Sequence, residues 1–173
     1  MHQRFGHAAS RVRGRVRKMK GTFSGGTAAS LKATVAAAAD PAVMALLRNP
    51  FSLTPGIEGP AQPPGHKPML DDVLGLWVAP FVMAAINTRN VHRSNFLLGQ
   101  RYGADFVYDE MLVTGAGEKG EAFAHAVAAD KSLGSDDGPK PGEGPSRAER
   151  EAGHYDVLFL GTDTQGNQVR VGV

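Results

Sequence analysis

The stretch RVRGRVRKMK, residues 11–20, alternates arginines with Val12, Gly14 and Val16 and ends in further basic residues. A period of two predicts a β-strand with one half-buried apolar face and one solvated, charged face. Seven arginine and lysine residues lie between residues 4 and 20, and no acidic residue precedes Asp40. A basic arm that binds nucleic acid is the alternative. The regular valines, and the lack of aromatic residues between the arginines, favour the strand.

A glycine-rich turn over residues 21–26 follows this strand and leads into an alanine-rich helix, predicted from about Thr27 to Ala39. The start of a helix carries unpaired N–H groups and partial positive charge, and glycine lets an anion approach that backbone closely. In the alternative interpretation, a hydroxyl caps the helix and the glycines only make the turn. The residues that we expect to hold a phosphate or carboxylate here are Ser24, Gly25, Gly26 and Thr27.

A second polar cluster lies in a long helix that we predict over residues 81–101, opened by Pro80. Arg89 and Arg93 are four residues apart and therefore share one face of this helix. Their like charges favour an anionic partner, either a ligand or an acidic side chain of the chain itself, and a solvated face is the alternative. The candidate acidic partners are Asp105, Asp109 and Glu110. The candidate ligand-binding residues are Asn87, Arg89 and Arg93.

Other segments have weaker patterns. Asp40 and Pro41 suit the start of a second helix, which should end before Pro50. Proline and glycine predict flexible loops over residues 50–68 and 133–148. The remaining predictions are a strand or helix entry over residues 73–78, a strand over 104–113, a helix over 118–132 and a hairpin over 154–173.

The sequence GAGEKG, residues 115–120, matches the dinucleotide fingerprint G-x-G-x-x-G and lies between a predicted strand and a predicted helix. Two observations oppose that interpretation. Glu118 would lie beside the pyrophosphate and repel it. The fingerprint also requires an acidic residue at the end of a second parallel strand about twenty residues on, which here falls in the polar loop. We therefore predict a glycine-rich turn.

Composition excludes several kinds of site. The chain has no cysteine, so disulfides, thiolate metal sites and cysteine nucleophiles are absent. Its six histidines are scattered without metal-ligand spacing, and no nucleophile elbow is present. No apolar stretch is long enough to span a membrane, and no apolar leader opens the sequence. These features fit a cytoplasmic protein.

Four segments resemble the saccharopine dehydrogenase-like oxidoreductases, and within them the trans-acting enoyl reductase branch. The segments are GTFSGGTAASL, DPAVMALLRNPFSL, APFVMAAINTRNVHRSNFLLGQRYGADFVYDEML and PGEGPSRAEREAGHYDVLFLGTDTQGNQVRVGV. They follow the order of the family and cover nearly the whole chain from about Arg11. The set is fairly specific, although each piece alone is weak.

The resemblance implies a two-domain reductase of which this chain is one part. Family members are longer and begin with a Rossmann domain, so residues 1–173 are expected to be a single substrate or dimerisation domain fragment. Its fold would be α+β, a mostly antiparallel sheet with helices packed on one face. The resemblance also implies NAD(P)-linked hydride transfer in lipid metabolism, with NAD(P) held by the missing Rossmann domain and not by this fragment.

The partners implied are a small-molecule or acyl substrate and a second copy of the chain, in the cytoplasm or at the periphery of a membrane. Tyr108 is a candidate proton donor, with a core or edge tyrosine as the alternative. No catalytic residue is otherwise assigned. A non-catalytic binding or dimerisation module is a second hypothesis for the chain, and a basic nucleic-acid-binding protein is a third.

Overall fold

The computed structural model describes residues 5–21, 24–130 and 139–173. These residues form one six-stranded sheet in the order β2-β3-β4-β1-β5-β6. The strands are β1 Arg11–Lys20, β2 Met69–Asp71, β3 Leu76–Pro80, β4 Val107–Gly115, β5 His154–Thr162 and β6 Gln168–Gly172. The helices are α1 Gly25–Ala37, α2 Pro41–Arg48, α3 Ala84–Leu97, α4 Gly117–Ala129 and α5 Arg147–Glu151.

The strand predicted from the arginine–valine alternation lies at the centre of the sheet. It pairs in parallel with β4 and antiparallel with β5. All other neighbouring pairs in the sheet are antiparallel. The α+β class with a mostly antiparallel sheet is therefore confirmed.

The long helices α3 and α4 pack on one face of this sheet. Asn87 of α3 hydrogen-bonds to Glu110 of β4, and His125 of α4 lies against Trp77 of β3. The strand register places these two contacts on the same face, because Leu112 shares the face of Glu110 and lies opposite Ala79. Between sheet and helices, the core includes Val16, Ala79 and Ala124.

The opposite face carries the arginines of β1, and the prediction that this face is solvated was wrong. Arg15 is only 1% exposed. Its guanidinium lies between the carboxylates of Asp71 and Asp109, which balance its charge and allow it to be buried. The alternating pattern identified the strand, but it could not show which distant acids would cover its basic side.

The end of the long loop between α2 and β2, residues 63–68, lies along this arginine-bearing face. Residues 50–68 contain neither helix nor strand. The side-chain amide of Gln62 donates to the carbonyl of Phe106 and accepts from the N–H of Tyr108. The side chain of Gln62 therefore satisfies the backbone groups of residues 106 and 108 that a neighbouring strand would otherwise bond, because β3 does not extend this far.

The segment around Pro80 differs from its prediction. Pro80 ends strand β3 opposite Met111 instead of opening a helix, and α3 begins only at Ala84. Proline is tolerated at this position because Pro80 and Met111 are the last pair of the two strands. The missing N–H of Pro80 therefore costs no further hydrogen bond between β3 and β4. The strand expected over residues 73–78 lies two to three residues later, since Asp71 caps the tight turn that precedes it.

Two short elements were not predicted. Strand β2 follows the proline-rich loop, and helix α5 lies at the end of the loop expected over residues 133–148. Ser146 and Glu149 form a reciprocal capping box that begins α5. Residues 133–138 of that predicted loop lie outside the described residues.

Helix α1 has almost no burial. Gly25 is its only buried residue, and Val35 is 62% exposed. Its sequence is uncharged except for Lys32 and has no polar face, which is typical of helices that are covered on several sides. The described part of the chain leaves this apolar helix uncovered.

Candidate functional site

An open pocket of about 430 Å³ lies where β1 ends and β5 begins. Lys20 faces His154 in the antiparallel register of these strands, and Met19 faces Tyr155. Helix α5 and the residues before it form the remaining wall. The lining residues are Met19, Lys20, Gly21, Pro145, Glu149, Arg150, Gly153, His154 and Tyr155.

The charge of this pocket is mainly positive. Lys20 and Arg150 contribute two positive charges, against one negative charge from Glu149. The acidic residue Glu149 is engaged by the backbone N–H of Ser146, and its hydrogen bonds with that residue lower its pKa. The pocket therefore suits an anionic ligand.

Its other lining groups are apolar. Met19 is 42% exposed and Tyr155 is 60% exposed, so both offer a hydrophobic surface beside the cations. Concave sites that combine apolar walls with a few charged groups are typical of small-molecule binding. The ligand that best fits this combination has an anionic group next to a hydrocarbon portion.

The predicted helix mouth, residues 24–27, adjoins this pocket. Ser24 caps α1 by accepting a hydrogen bond from the N–H of Thr27 at 3.3 Å. The N–H of Gly25 donates to the carbonyl of Glu143 at 2.8 Å, in the segment that leads to Pro145. A Cβ on Gly25 would lie 1.7 Å from the carbonyl oxygen of Lys140, so only glycine fits. The cap is observed, and anion binding by residues 24–27 stays a prediction.

Asn87 belongs to a different, buried network. Its side-chain amide donates to one oxygen of Glu110 at 2.8 Å, while the hydroxyl of Tyr108 donates to the other. Burial, and then the hydrogen bond with Glu110, raise the pKa of Tyr108 well above its usual value. The tyrosine is therefore a protonated donor at neutral pH, but its hydroxyl is occupied by a carboxylate and buried within the fold.

The two arginines of α3 bind backbone carbonyls. The guanidinium of Arg89 donates to the carbonyls of Leu47 and Asn49 at the end of α2. Arg93 donates to the carbonyl of Leu53 at 3.1 Å. Among the described residues, neither arginine forms a salt bridge. Positive charge near the last carbonyls of a helix is favourable, so these contacts hold α2 and the following turn against α3.

The structure does not bring the two predicted groups of site residues together. Asn87 reaches Glu110, which lies against Gly14 in the middle of β1, whereas Ser24 follows the end of that strand. Six residues of extended strand separate Gly14 from Lys20, which corresponds to roughly 20 Å. Ligand binding by Asn87, Arg89 and Arg93 therefore stays a prediction, and their described contacts are structural.

The topology around residues 115–120 differs from that of a dinucleotide-binding unit. A Cβ on Gly120 would lie 2.3 Å from the carbonyl oxygen of Gly115, so this glycine lets the helix pack on its own turn. A dinucleotide unit also needs a second parallel strand after the helix. The next described strand, β5, is instead antiparallel to β1. We therefore assign no cofactor contact to this turn.

Within residues 5–21, 24–130 and 139–173, no cluster of three histidine, aspartate or glutamate side chains could hold a metal ion. No helix in the same part of the chain is long and apolar enough to cross a membrane.

Sequence reasoning missed the main residues of the pocket, which are Lys20, Arg150, His154 and Tyr155. The signal for three of them was present, because the end of the first strand and the start of the last hairpin were both predicted. What was missing was the pairing of these two strands, which lie more than a hundred residues apart in the chain. Arg150 lies in helix α5, which was not predicted.

The amino-acid sequence of this chain is similar to those of proteins named trans-acting enoyl reductases. A Mycobacterium tuberculosis H37Rv protein, provisionally named a trans-acting enoyl reductase, is 36% identical over 87% of this chain and 42% of its own length. The chain is a homologue of these reductases. A trans-acting enoyl reductase of Mycobacterium bovis BCG is 35% identical over 85% of the chain and 41% of its own length. One from Mycobacterium ulcerans Agy99 is 32% identical, over 83% and 40% respectively.

The chain thus spans about two fifths of the length of the trans-acting enoyl reductases that it matches. No protein-family model matches it, and no solved structure matches it significantly. The similarity therefore concerns one portion of a longer enzyme, and it supports an oxidoreductase-related function.

Proposed function

We propose that this chain is the substrate-domain portion of an NAD(P)-dependent oxidoreductase of the saccharopine dehydrogenase-like and trans-acting enoyl reductase type. The similarity to the mycobacterial reductases, which extends over 87% of the chain, is the observation that carries this proposal. The nicotinamide would be held by residues outside this chain. Part of the support is the topology after the glycine-rich turn of residues 115–120, where the next described strand is antiparallel, unlike that of a dinucleotide-binding unit.

The pocket at the end of β1 is the best candidate for the substrate. Reduction of an enoyl group adds a hydride to the carbon β to the carbonyl and a proton to the α carbon. Negative charge develops on the carbonyl oxygen as the hydride is added, and nearby cations stabilise such charge. Lys20 and Arg150 would supply that positive charge, while Met19 and Tyr155 would contact the hydrocarbon portion. The substrate class is thus an unsaturated acyl compound with a polar or anionic carrier.

Binding of crotonyl-coenzyme A to the purified chain, measured by calorimetry, tests this assignment. Replacing both Lys20 and Arg150 by glutamine should weaken binding roughly tenfold or more, since charge-assisted contacts are lost. Lys18→Gln is the matched control, because Lys18 is an exposed lysine of the same strand that does not line the pocket. Equal affinity of the double variant and the wild type would exclude this pocket as the acyl site.

A non-catalytic binding or dimerisation module is the second candidate function. The exposed apolar surface of α1 favours it, because such a surface is typical of interfaces. Sedimentation over a range of concentrations would reveal a stable dimer. A dimer that binds no acyl thioester would favour this candidate over the first.

Nucleic-acid binding is supported least by the structure. Arg13, Arg15 and Arg17 of β1 each pair with aspartates of the same chain, so most of the basic stretch is already neutralised. Affinity of such complexes depends on cations that are free to contact phosphates.

A further inference from the structure

A second pocket, which we call the arginine pocket, lies on the face of the sheet opposite α3 and α4. Its floor is formed by arginines of β1 and by Asp109 and Met111 of β4, and its outer wall by residues 63–69. Its volume is about 140 Å³. It is distinct from the pocket at the end of β1, which lies beyond Lys20.

A buried ion cluster fixes the floor of this pocket. Arg15 donates to Asp71 at 2.7 Å and to Asp109 at 2.7 Å, and its side chain is 2% exposed. One carboxylate oxygen of Asp109, Oδ2, thus accepts a hydrogen bond from Arg15. Because Arg15 holds this oxygen, the orientation of the second oxygen is also fixed.

Two buried polar atoms of residues that line the arginine pocket have no hydrogen-bond partner in the part of the chain that the structure describes. One is the second oxygen of Asp109, Oδ1, which lies 3.8 Å from the Nη2 of Arg11. The Nε of Arg11 is likewise buried and donates none. Unpaired buried polar atoms are rare in folded proteins and costly, so a ligand that pairs with both would be favoured.

The charge around these atoms indicates the kind of ligand. Arg11, Arg13, Arg15 and Lys67 contribute four positive charges, against three negative ones from Asp71, Asp72 and Asp109, which leaves one positive charge in excess. An anion is therefore favoured beside Arg11, and a hydrogen-bond donor beside Asp109. The prolines and Met111 supply apolar walls for the rest of a small ligand.

We propose that the arginine pocket binds a small carboxylic acid that carries a hydroxyl or amino group on the neighbouring carbon. The carboxylate would accept from Arg11, and the adjacent hydroxyl or amino group would donate to Asp109 Oδ1. The volume matches a molecule of about three carbon atoms, given that a water molecule occupies about 30 Å³ in the liquid. This inference does not depend on the proposed reductase function.

Titration of the intact chain with lactate, alanine and propanoate, followed by NMR of the backbone amides, tests the proposal. Lactate or alanine should saturate, with shifts that include the amides of Arg11 and Asp109. Propanoate lacks the donor for Asp109 and should bind roughly tenfold more weakly. The lactate and alanine arms distinguish a hydroxyl donor from an amino donor.

Variants then locate the binding. Arg11→Gln should weaken binding at least tenfold, because it removes the charge and the buried donor. Arg17→Gln is the matched control, since Arg17 lies on the same strand, pairs with Asp156 and does not line the arginine pocket. The amide spectrum of each variant verifies that it is folded.

Three results would overturn the proposal. Absence of saturation by all the acids would mean that water alone fills the arginine pocket. Equal binding of propanoate and lactate would show that Asp109 receives no donor from the ligand. Unchanged affinity in a folded Arg11→Gln variant would place the acid elsewhere.

Discussion

His92 is a buried histidine with a polar atom that has no partner. Its Nε2 makes no hydrogen bond, and its ring lies against Phe51 and Phe106 at centroid distances of 4.5 and 6.0 Å. Burial lowers the pKa of His92 below its usual value. The folded state therefore holds the neutral ring, whereas the unfolded chain takes up a proton below about pH 6.5.

This difference predicts a loss of stability in mild acid. The contribution of His92 is fully present above about pH 6.5, and it decreases as the pH falls below that value, because the unfolded state binds more protons. Urea denaturation at several pH values should show this slope in the wild type and less of it in His92→Leu. His125→Gln, which changes an exposed histidine, should retain the slope. Identical slopes in the wild type and in His92→Leu would contradict the prediction.

Gly14 provides the space for the buried network of Glu110. A Cβ at this position would lie 2.8 Å from Cγ of Glu110 and 3.3 Å from the hydroxyl of Tyr108. Gly14→Ala should therefore destabilise the fold by about 1–3 kcal/mol through overpacking. Thermal and chemical denaturation measure this effect. Gly172→Ala is the control, because Gly172 is also a strand glycine and a Cβ there would lie an ordinary 3.5 Å from the Nη2 of Arg17. A Gly14→Ala variant as stable as this control would show that Glu110 moves without cost.

Single residues were the hardest level to predict from sequence. The cap by Ser24 follows from local rules, because a hydroxyl before a helix meets unpaired N–H groups a few residues on. The contacts of Arg15 and Arg89 do not, since they depend on Asp109 and on the carbonyl of Leu47, which are distant in the chain. Local patterns show that a side chain needs a partner, but they do not name it.

At the level of elements, β2 is held to the centre of the sheet by a carboxylate. Asp71 at the end of β2 accepts from Arg15 and from the N–H groups of Val73 and Leu74. Burial opposes its charged form, but the hydrogen bond and charge of Arg15, with these N–H groups, hold its pKa below the usual range. This residue therefore joins β1, β2 and the turn that leads into β3.

Acid should detach this part of the sheet. The stabilisation by Asp71 is fully present above the unfolded pKa of about 3.9, and it is lost as the pH falls through the lower folded pKa. Unfolding of the wild type should steepen below about pH 4. Asp71→Asn, which cannot titrate, should be less stable at neutral pH and less sensitive to acid. An Asp71→Asn variant that loses stability as steeply as the wild type would contradict this role.

Several elements followed from the sequence with close boundaries. The strand of residues 11–20, the helix after Pro41 and the C-terminal hairpin were predicted because periodicity and caps are local. The region near Pro80 failed because proline suits the end of a strand as well as the start of a helix. Strand β2 is only three residues long, which is too short to show a period.

On the scale of the whole molecule, the main feature is that helix α1 is almost entirely exposed in the described part of the chain. The helix has 13 residues, and isolated helices of about 12–15 residues are marginally stable in water. Its amides should exchange with solvent far faster than those of β1 and β4, as measured by hydrogen exchange. Extending the chain with the adjoining portion of a reductase should protect them. Exchange of α1 as slow as that of β1 in the isolated chain would contradict this prediction.

The candidate site also depends on the fold of the whole molecule. The pocket at the end of β1 brings together Lys20 and His154, which are far apart in the chain, so it exists only once β1 and β5 have paired. The family resemblance predicted the fold class, and the glycine-rich start of a helix predicted a ligand near residues 24–27. Neither predicted the cations from α5 and β5.

The central place of β1 also affects synthesis on the ribosome. Arg11 is translated well before its two pairing partners, Val107 on one side and Thr162 on the other. The nascent strand must therefore wait, with its valines and arginines unpaired, until Thr162 has been translated. Such delayed pairing makes folding slow and leaves the growing chain dependent on chaperones.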